Sequence, residues 1–408
     1  FGRLKNKFNC TLYFIFHSIR RFFLSRNWPK LTLMRLQSRE QQKIAICIAC
    51  WHEADVIAQT LSNAVNNIQY RNYDIFVGTY PNDPKTQAQV DLVAKKNPHV
   101  HKVISPFPGP TTKPSNLNSI YQAIKDYEKK VGFTYEIIMT HDAEDLIHPY
   151  SLLVVNYLIP RKDMIQLPVF PLEVPWYEFT HWSYADEFAE NHTKLLLVRE
   201  LTGGFVPAAG VGAAFTRRCF EWFNAHEVQP FSTNTLTEDY ELGLRLHLEG
   251  FQAAFVLVNL PPPENHKERN KRSMQWVATR AYFPRNFWSA VRQKTRWNIG
   301  IVLQAWRNLG WRGDRVTQWN LLLDRKVLVS TPANFLSYFV FLYFIFYQIL
   351  LHSYSGFMPP LIVQGTLLWY IISIATFFMV WRMINRSYAV QKIYGFWPAV
   401  LSIPRSVW

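Results

Sequence analysis

Between residues 40 and 325 the apolar positions follow two alternating rhythms. Ile44 to Cys50, Asp74 to Gly78, Val103-Ile104 and Glu136 to Thr140 are short, mostly β-branched runs that read as buried strands. Val56 to Ile68, Thr86 to Lys96 and Ser115 to Lys129 repeat apolar residues every three or four positions, which lines them along one helical face. The Pro/Gly-rich stretch Pro106 to Pro114 interrupts the pattern as a loop. Strands alternating with helices predict an α/β domain whose mostly parallel sheet is covered on both faces. In such sheets ligands bind at the carboxyl ends of the strands. That edge gathers Trp51-His52-Glu53, Thr79 to Asp83 and Asp142 to Asp145.

After Val327 the pattern changes. Leu328 to Leu351 and Pro359 to Trp381 each hold more than 20 residues without Asp, Glu, Lys or Arg. About 20 helical residues cross a hydrocarbon core of about 30 Å. The linker His352 to Met358 is uncharged apart from its His, whereas Arg325 and Lys326 precede the pair and Arg382, Arg386 and Lys392 follow it. The positive-inside rule then predicts a transmembrane hairpin with both flanks, and the large domain, on the cytoplasmic side. Phe8 to Leu24 is shorter and interrupted by His17, Arg20 and Arg21, as expected for an interfacial helix or the cut end of a missing span. The expected partition is a membrane-proximal segment over 1–39, the catalytic domain over 40–290, and an interfacial helical region over 291–326. Two transmembrane helices over 327–381 and a truncated interfacial segment over 382–408 complete it. With no initiating Met and an aromatic, amphipathic end at Trp408, the chain reads as a fragment of something longer.

The net charge of +15 lies largely beside the apolar segments, so membrane headgroups are its natural partner. No nucleic-acid recognition motif accompanies it. Cys47 and Cys50 are spelled like a metal or redox pair, but three positions apart on a strand they point to opposite faces and serve packing.

Asp142-Ala143-Glu144-Asp145 follows an apolar strand, so its carboxylates emerge where the sheet edge opens. Two carboxylates suit magnesium or manganese bridging a diphosphate, the cation taking its other oxygens from phosphate. Thr237-Glu238-Asp239 precedes a helical stretch, Tyr240 to Glu249, and reads either as a helix cap or as a reactive carboxylate pair with Asp239 as base. Gln293, Arg296 and Trp297 share one helical face, suited to packing or to phosphate and sugar contacts. The charged stretch Glu264 to Ser273 reads as a solvated loop or a lid, and Gly203-Gly204 and Gly210-Val211-Gly212 as turns or a closely approached backbone.

Taken in order, these three clusters resemble the processive family 2 glycosyltransferases, whose pattern is an acidic DxD, then TED, then QxxRW before membrane spans. The similarity covers nearly the whole chain. Ala49-Cys50-Trp51-His52-Glu53 and Lys113-Pro114-Ser115-Asn116-Leu117-Asn118 stand where that family has its strand-end and donor-binding segments. Val77-Gly78-Thr79-Tyr80-Pro81-Asn82-Asp83-Pro84, His141-Asp142-Ala143-Glu144-Asp145, Ala209-Gly210-Val211-Gly212 and Val291-Arg292-Gln293-Lys294 resemble in particular the bacterial inner-membrane phage-adsorption protein B group.

The resemblance implies a GT-A fold and an inverting transferase at the bacterial inner membrane, with a UDP-linked N-acetylhexosamine as donor and a surface polysaccharide as product. The alternatives are a single-sugar transferase to a lipid carrier and an inactive phage-adsorption scaffold. By the same resemblance Trp51, Glu53, Asp83, Lys113, Asn116 and Asp142 contact the nucleotide sugar. Asp142 and Glu144 hold the metal, with Asp145 the alternative second acid. Asp239 and Glu238 form the catalytic pair, and Gln293, Arg296 and Trp297 hold donor or acceptor. Further implied partners are a growing glycan or lipid-linked acceptor, an outer-membrane export protein, and cyclic-di-GMP acting through a module absent here.

Overall fold

The computed structural model describes residues 31–353 and 363–406. The Phe8 to Leu24 segment and most of the His352 to Met358 linker lie outside the described residues. Nine strands are described: β1 (Ile44–Ala49), β2 (Tyr73–Thr79), β3 (Val100–Ile104), β4 (Ile137–Asp142), β5 (Met164–Gln166), β6 (Val169–Pro171), β7 (Ala213–Thr216), β8 (Ala253–Phe255) and β9 (Thr279–Ala281). Seven form one sheet in the order β3-β2-β1-β4-β7-β5-β8, and β6 pairs with β9. The first four are parallel, as the alternating pattern predicts. β7 runs antiparallel to β4 and β5, and β5 is parallel to β8. Strands of three or four residues show no usable alternation, so the pattern missed β5 to β9.

β1 shows why this half folds as read. Ile44, Ile46 and Ile48 are buried under one helical layer, Ala45 and Cys47 under the other. Cys50 belongs to the first layer, so the two thiols are on opposite sides and unpaired. Burial pushes Cys47 up to about 12, leaving an inert core thiol. The register then levels the strand ends, since Ala49 stands opposite Gly78 of β2 and Asp142 of β4.

The helix Lys113–Val131 begins two residues earlier than its apolar pattern. Thr112 caps it by accepting from the Ser115 N–H at 3.3 Å, Pro114 fills its first turn, and Gly132 ends it at φ 75°. The cap brings Lys113 to the sheet edge. From β9, the buried Arg280 guanidinium donates to the carbonyls of Ser273, Trp276 (2.9 Å) and Ala278 (3.0 Å) in the segment before it, pinning the end of the charged Glu264 to Ser273 stretch.

The C-terminal boundaries differ from the sequence reading. Among the described residues one helix, Leu367–Tyr394, is long and apolar enough to cross a membrane. It starts at Leu367, capped by Thr366, rather than at Pro359, and continues past Trp381. Its last turns carry Ala389, Val390, Ile393 and Tyr394, which with Ala399 are buried against Phe170, Trp182, Ala185, Ala189 and Ala278. Fully burying a Val or Ile contributes roughly 1.5–3 kcal/mol each, so the stretch from Ala389 to Ala399 docks on the α/β domain. The following helix, Phe396–Arg405, keeps Phe396, Trp397, Val400 and Ile403 exposed on its outer face.

Candidate active site

Asp142 closes β4, and its N–H donates to Asp145 Oδ2 at 2.8 Å. The same carboxylate faces His141 Nδ1 at 3.0 Å, and Asp145 is only 2% exposed. Asp145 therefore shapes the turn and is withdrawn from the cleft, leaving Asp142 and the exposed Glu144 as the two available acids. Partial withdrawal from water, then the charges of Asp142, Asp145 and Glu53, push Glu144 up to about 7.

Lys113 is the centre of the cleft. Its ammonium donates to Asp142 Oδ1. Burial alone would lower its pKa, but Asp142, Glu238 and Asp239 outweigh that and hold it above the usual lysine range. One cation thus joins two acidic clusters almost a hundred residues apart in sequence. The backbone of Gly210 forms the wall beside it. A Cβ there would lie 2.8 Å from Asp239 Oδ2 and 3.5 Å from Lys113 Nζ, and φ is 73°. Only glycine meets both conditions without strain.

Thr237 does not cap the helix Glu238–Leu248, and its buried hydroxyl has no hydrogen-bond partner. Inside the first turn, Asp239 Oδ1 accepts from the Tyr240 N–H at 2.8 Å. Glu238 is buried, and burial followed by the Asp239 charge pushes it up to about 7, with Lys113 opposing. Asp239 is half-buried and raised by burial, again against Lys113. A pair of raised carboxylates at a helix N-terminus is a proton-accepting arrangement.

The helix Phe287–Asn298, capped by Asn286, carries the third cluster. Trp297 packs edge-on to Tyr184 with ring centroids 6.0 Å apart, Gln293 Oε1 is buried without a hydrogen-bond partner, and Arg296 is exposed. A π-helical turn, Ile299–Gln304, follows directly. In it Gly300 lies against the Thr237 side chain with no space for a Cβ, and Gln304 Oε1 accepts from the Leu236 N–H at 2.8 Å. The segment bearing Gln293, Arg296 and Trp297 is thereby clamped onto the one that presents Glu238 and Asp239.

At the other end of the cleft Trp51 packs on Gly109 and meets Tyr80 edge-on at 5.0 Å. Asn82 and Gly109 exchange hydrogen bonds of 2.6 and 2.7 Å, and Tyr80 pairs with Thr111 at 2.6 Å. The sequence reading gathered Trp51 and Thr79 to Asp83 at this edge but not Gly109 and Thr111, which lie in the loop Pro106 to Pro114. Glu53 is half-buried beside it and raised by burial, then by Asp142, Asp83 and Asp55.

Two expected contacts are placed differently. Asp83 is 3% exposed, and its carboxylate accepts from the N–H groups of His52 (2.7 Å) and Thr86 (3.3 Å). Burial raises it, but these bonds prevail and hold it below the usual range. Asn116 is buried under the strand ends, donating to the Gly78 carbonyl at 3.2 Å. Both residues are buried behind the strand ends, whereas Trp51, Glu53, Lys113 and Asp142 are partly exposed there.

Among the described residues no group of three or more His, Cys, Asp or Glu side chains forms a metal cage. The donor set of Asp142 and Glu144 fits a different kind of site, in which one or two carboxylates share a hard cation with phosphate oxygens. After withdrawal from water, the charges of Asp142, Asp145 and Glu53 raise Glu144, and such a cation would offset that part.

Residues 41–300 match the family model described as glycosyltransferase-like family 2. The chain is 37% identical, over 98% of its length, to bacteriophage adsorption protein B of Escherichia coli K12. Bacteriophage N4 adsorption protein B of E. coli O157:H7 matches equally. The chain spans about half, 54%, of the length of these curated relatives. Among solved structures it is similar to a mannosyltransferase of Pyrobaculum calidifontis in complex with GDP-Man and Mn2+. That likeness has a TM-score of 0.54 and 13% identity, covering 97% of this chain and 94% of the other.

Proposed function

The chain belongs to the glycosyltransferase-like family 2 and has a GT-A fold; on that premise we propose that it transfers a sugar from a nucleotide donor to an acceptor hydroxyl at a membrane surface, with inversion. The observation that carries this reading is Lys113, held by Asp142 at the end of β4 and facing Glu238 and Asp239. It brings the leaving-group side of the reaction and the base side into one cleft. Trp51 and the Tyr80 corner receive the nucleoside, Glu53 contacts it, and Asp142 with Glu144 would hold a magnesium or manganese ion. When bound, that ion neutralises charge on the diphosphate. Lys113 lies where it adds to that neutralisation. The acceptor oxygen attacks the anomeric carbon while its proton passes to the Asp239 carboxylate, and the sugar–phosphate bond breaks with its electron pair on the departing diphosphate. Gln293, Arg296 and Trp297 hold sugar rings, the indole offering an apolar face.

The proposed donor is a UDP-linked N-acetylhexosamine, and the proposed product is a glycan of the bacterial surface made at the cytoplasmic face of the inner membrane. The exposed apolar helix Leu367–Tyr394 supports membrane placement. A panel of nucleotide sugars incubated with the protein, with and without magnesium, manganese and a chelator, tests donor and metal together. Transfer that survives chelation would refute the metal role.

Two further results are expected. Activity falls as pH drops into the acid range, because Asp239, raised by burial, accepts the acceptor's proton only while ionised; Glu238 beside it, pushed up to about 7, takes up its own proton. Glu238→Gln removes a like charge from beside Asp239, so the acid limb of the rate profile moves to lower pH. Initial rates across the acid-to-neutral range measure both. Gly210→Ala forces a side chain into the left-handed region at a cost of about 1–2 kcal/mol and pushes on Asp239, lowering transfer about 10²-fold. A thermal melt and an initial rate separate the two effects.

A further inference from the structure

The helix Phe179–Glu190 has two faces joined to different parts of the chain. On one, Tyr184 and Phe188 meet Trp297 with ring centroids 6.0 and 6.2 Å apart. Tyr184 Oη donates to the Ala290 carbonyl at 3.3 Å, and Glu187 pairs with Lys294 at 2.7 Å. Each of these contacts reaches the helix Phe287–Asn298. On the opposite face, at spacings of four, Trp182 meets Tyr394 at 5.4 Å and Glu190 pairs with Arg386 at 3.0 Å. Between them Asp186 receives two bonds from Arg405, Nε and Nη2 each donating at 2.8 Å. The Arg405 Nη2 also donates to the Pro398 carbonyl at 2.9 Å, which sets the fork within its own helix.

Asp186 and Arg405 are 219 positions apart, and their side chains are 2% and 1% exposed. Withdrawing both charges from water is costly, and an apolar pair would join the helices as well or better. What the ion pair adds is geometry, because a planar guanidinium fork fixes angle and depth where apolar contacts slide. We propose that Asp186 and Arg405 are a positioning pair for Trp297, setting the register of the helix Phe179–Glu190 so that its other face holds the indole in place. The helices beyond the membrane segment are then part of the catalytic unit. The geometric claim stands on these contacts, while its catalytic consequence rests on the proposed sugar-binding role of Trp297.

The test uses the full chain in detergent micelles, labelled with 5-fluorotryptophan, with the Trp297 resonance assigned through Trp297→Phe. Asp186→Asn is compared with the double variant Asp186→Leu, Arg405→Met, which keeps the helices packed while removing the fork. Both are expected to shift or split the Trp297 line and to leave the line of Trp222, which stacks on His226, unmoved. In transfer assays with UDP-N-acetylglucosamine as the probe donor, Asp186→Asn lowers the rate about tenfold in the wild-type background and less than about twofold beside Trp297→Phe. An unmoved Trp297 line in the double variant, or losses that multiply independently, would overturn the proposal. If the unsubstituted protein transfers nothing, the proposed function fails, and the resonance positions alone still decide the positioning pair.

Discussion

Asp239→Asn is expected to lower glycosyl transfer by about 10²- to 10⁴-fold while leaving UDP affinity unchanged. The carboxylate lies beside Gly210 and Lys113, whereas the corner proposed to receive the nucleoside is built by Trp51 and Tyr80. Asparagine preserves the shape and can still accept from the Tyr240 N–H, so the helix start is retained. What it loses is the ability to take a proton. Calorimetric UDP binding in manganese, set beside initial transfer rates, separates the two roles. Equal losses of binding and rate would instead place Asp239 in the donor site, and unchanged transfer would remove it from the mechanism.

The second large effect is expected at Lys113. Lys113→Met keeps most of the side-chain stem but leaves Asp142, Glu238 and Asp239 facing one another without the cation that joins them. On the proposed mechanism, loss of this charge beside the departing diphosphate costs about 10²- to 10³-fold in rate. The sign of the accompanying pH change is also determined. Lys113 lowers the proton affinity of Glu238 and Asp239, so its removal moves the acid limb to higher pH. Glu238→Gln moves it the other way. A pH series on both variants checks this opposition, and a common direction would mean that Lys113 does not act on the Asp239 pair.

The parallel half of the sheet was legible because each of its strands is a buried run long enough to show its period, and each helix between them presents one apolar face. The three chemical clusters were legible as residue types. Their availability was not. Asp145 and Glu144 are adjacent acids, and only the direction of the Asp142 N–H decides that Asp145 is occupied while Glu144 stays exposed. Asp83 was expected to contact the nucleotide sugar, yet two backbone N–H groups claim its carboxylate. Thr237 had the sequence of a cap and makes no capping bond, because the Gly300 turn packs on it. The second apolar run was read to end at Trp381, although its helix continues into a docked face that begins to bury at Ala389.

The sequence by itself determined the α/β alternation, the strand-end edge that collects Trp51, Glu53 and Asp142, and one of the two membrane-length helices it predicted, Leu367–Tyr394. These follow from local periodicity and strand chemistry, which need no distant partner. Tertiary structure alone decided that Lys113 bridges the two acidic clusters, that Gly210 walls the base, and that Arg405 reaches back to Asp186. Each of those depends on groups far apart in the chain whose directions are set by packing, and charge or hydrogen-bond capacity read residue by residue carries no direction.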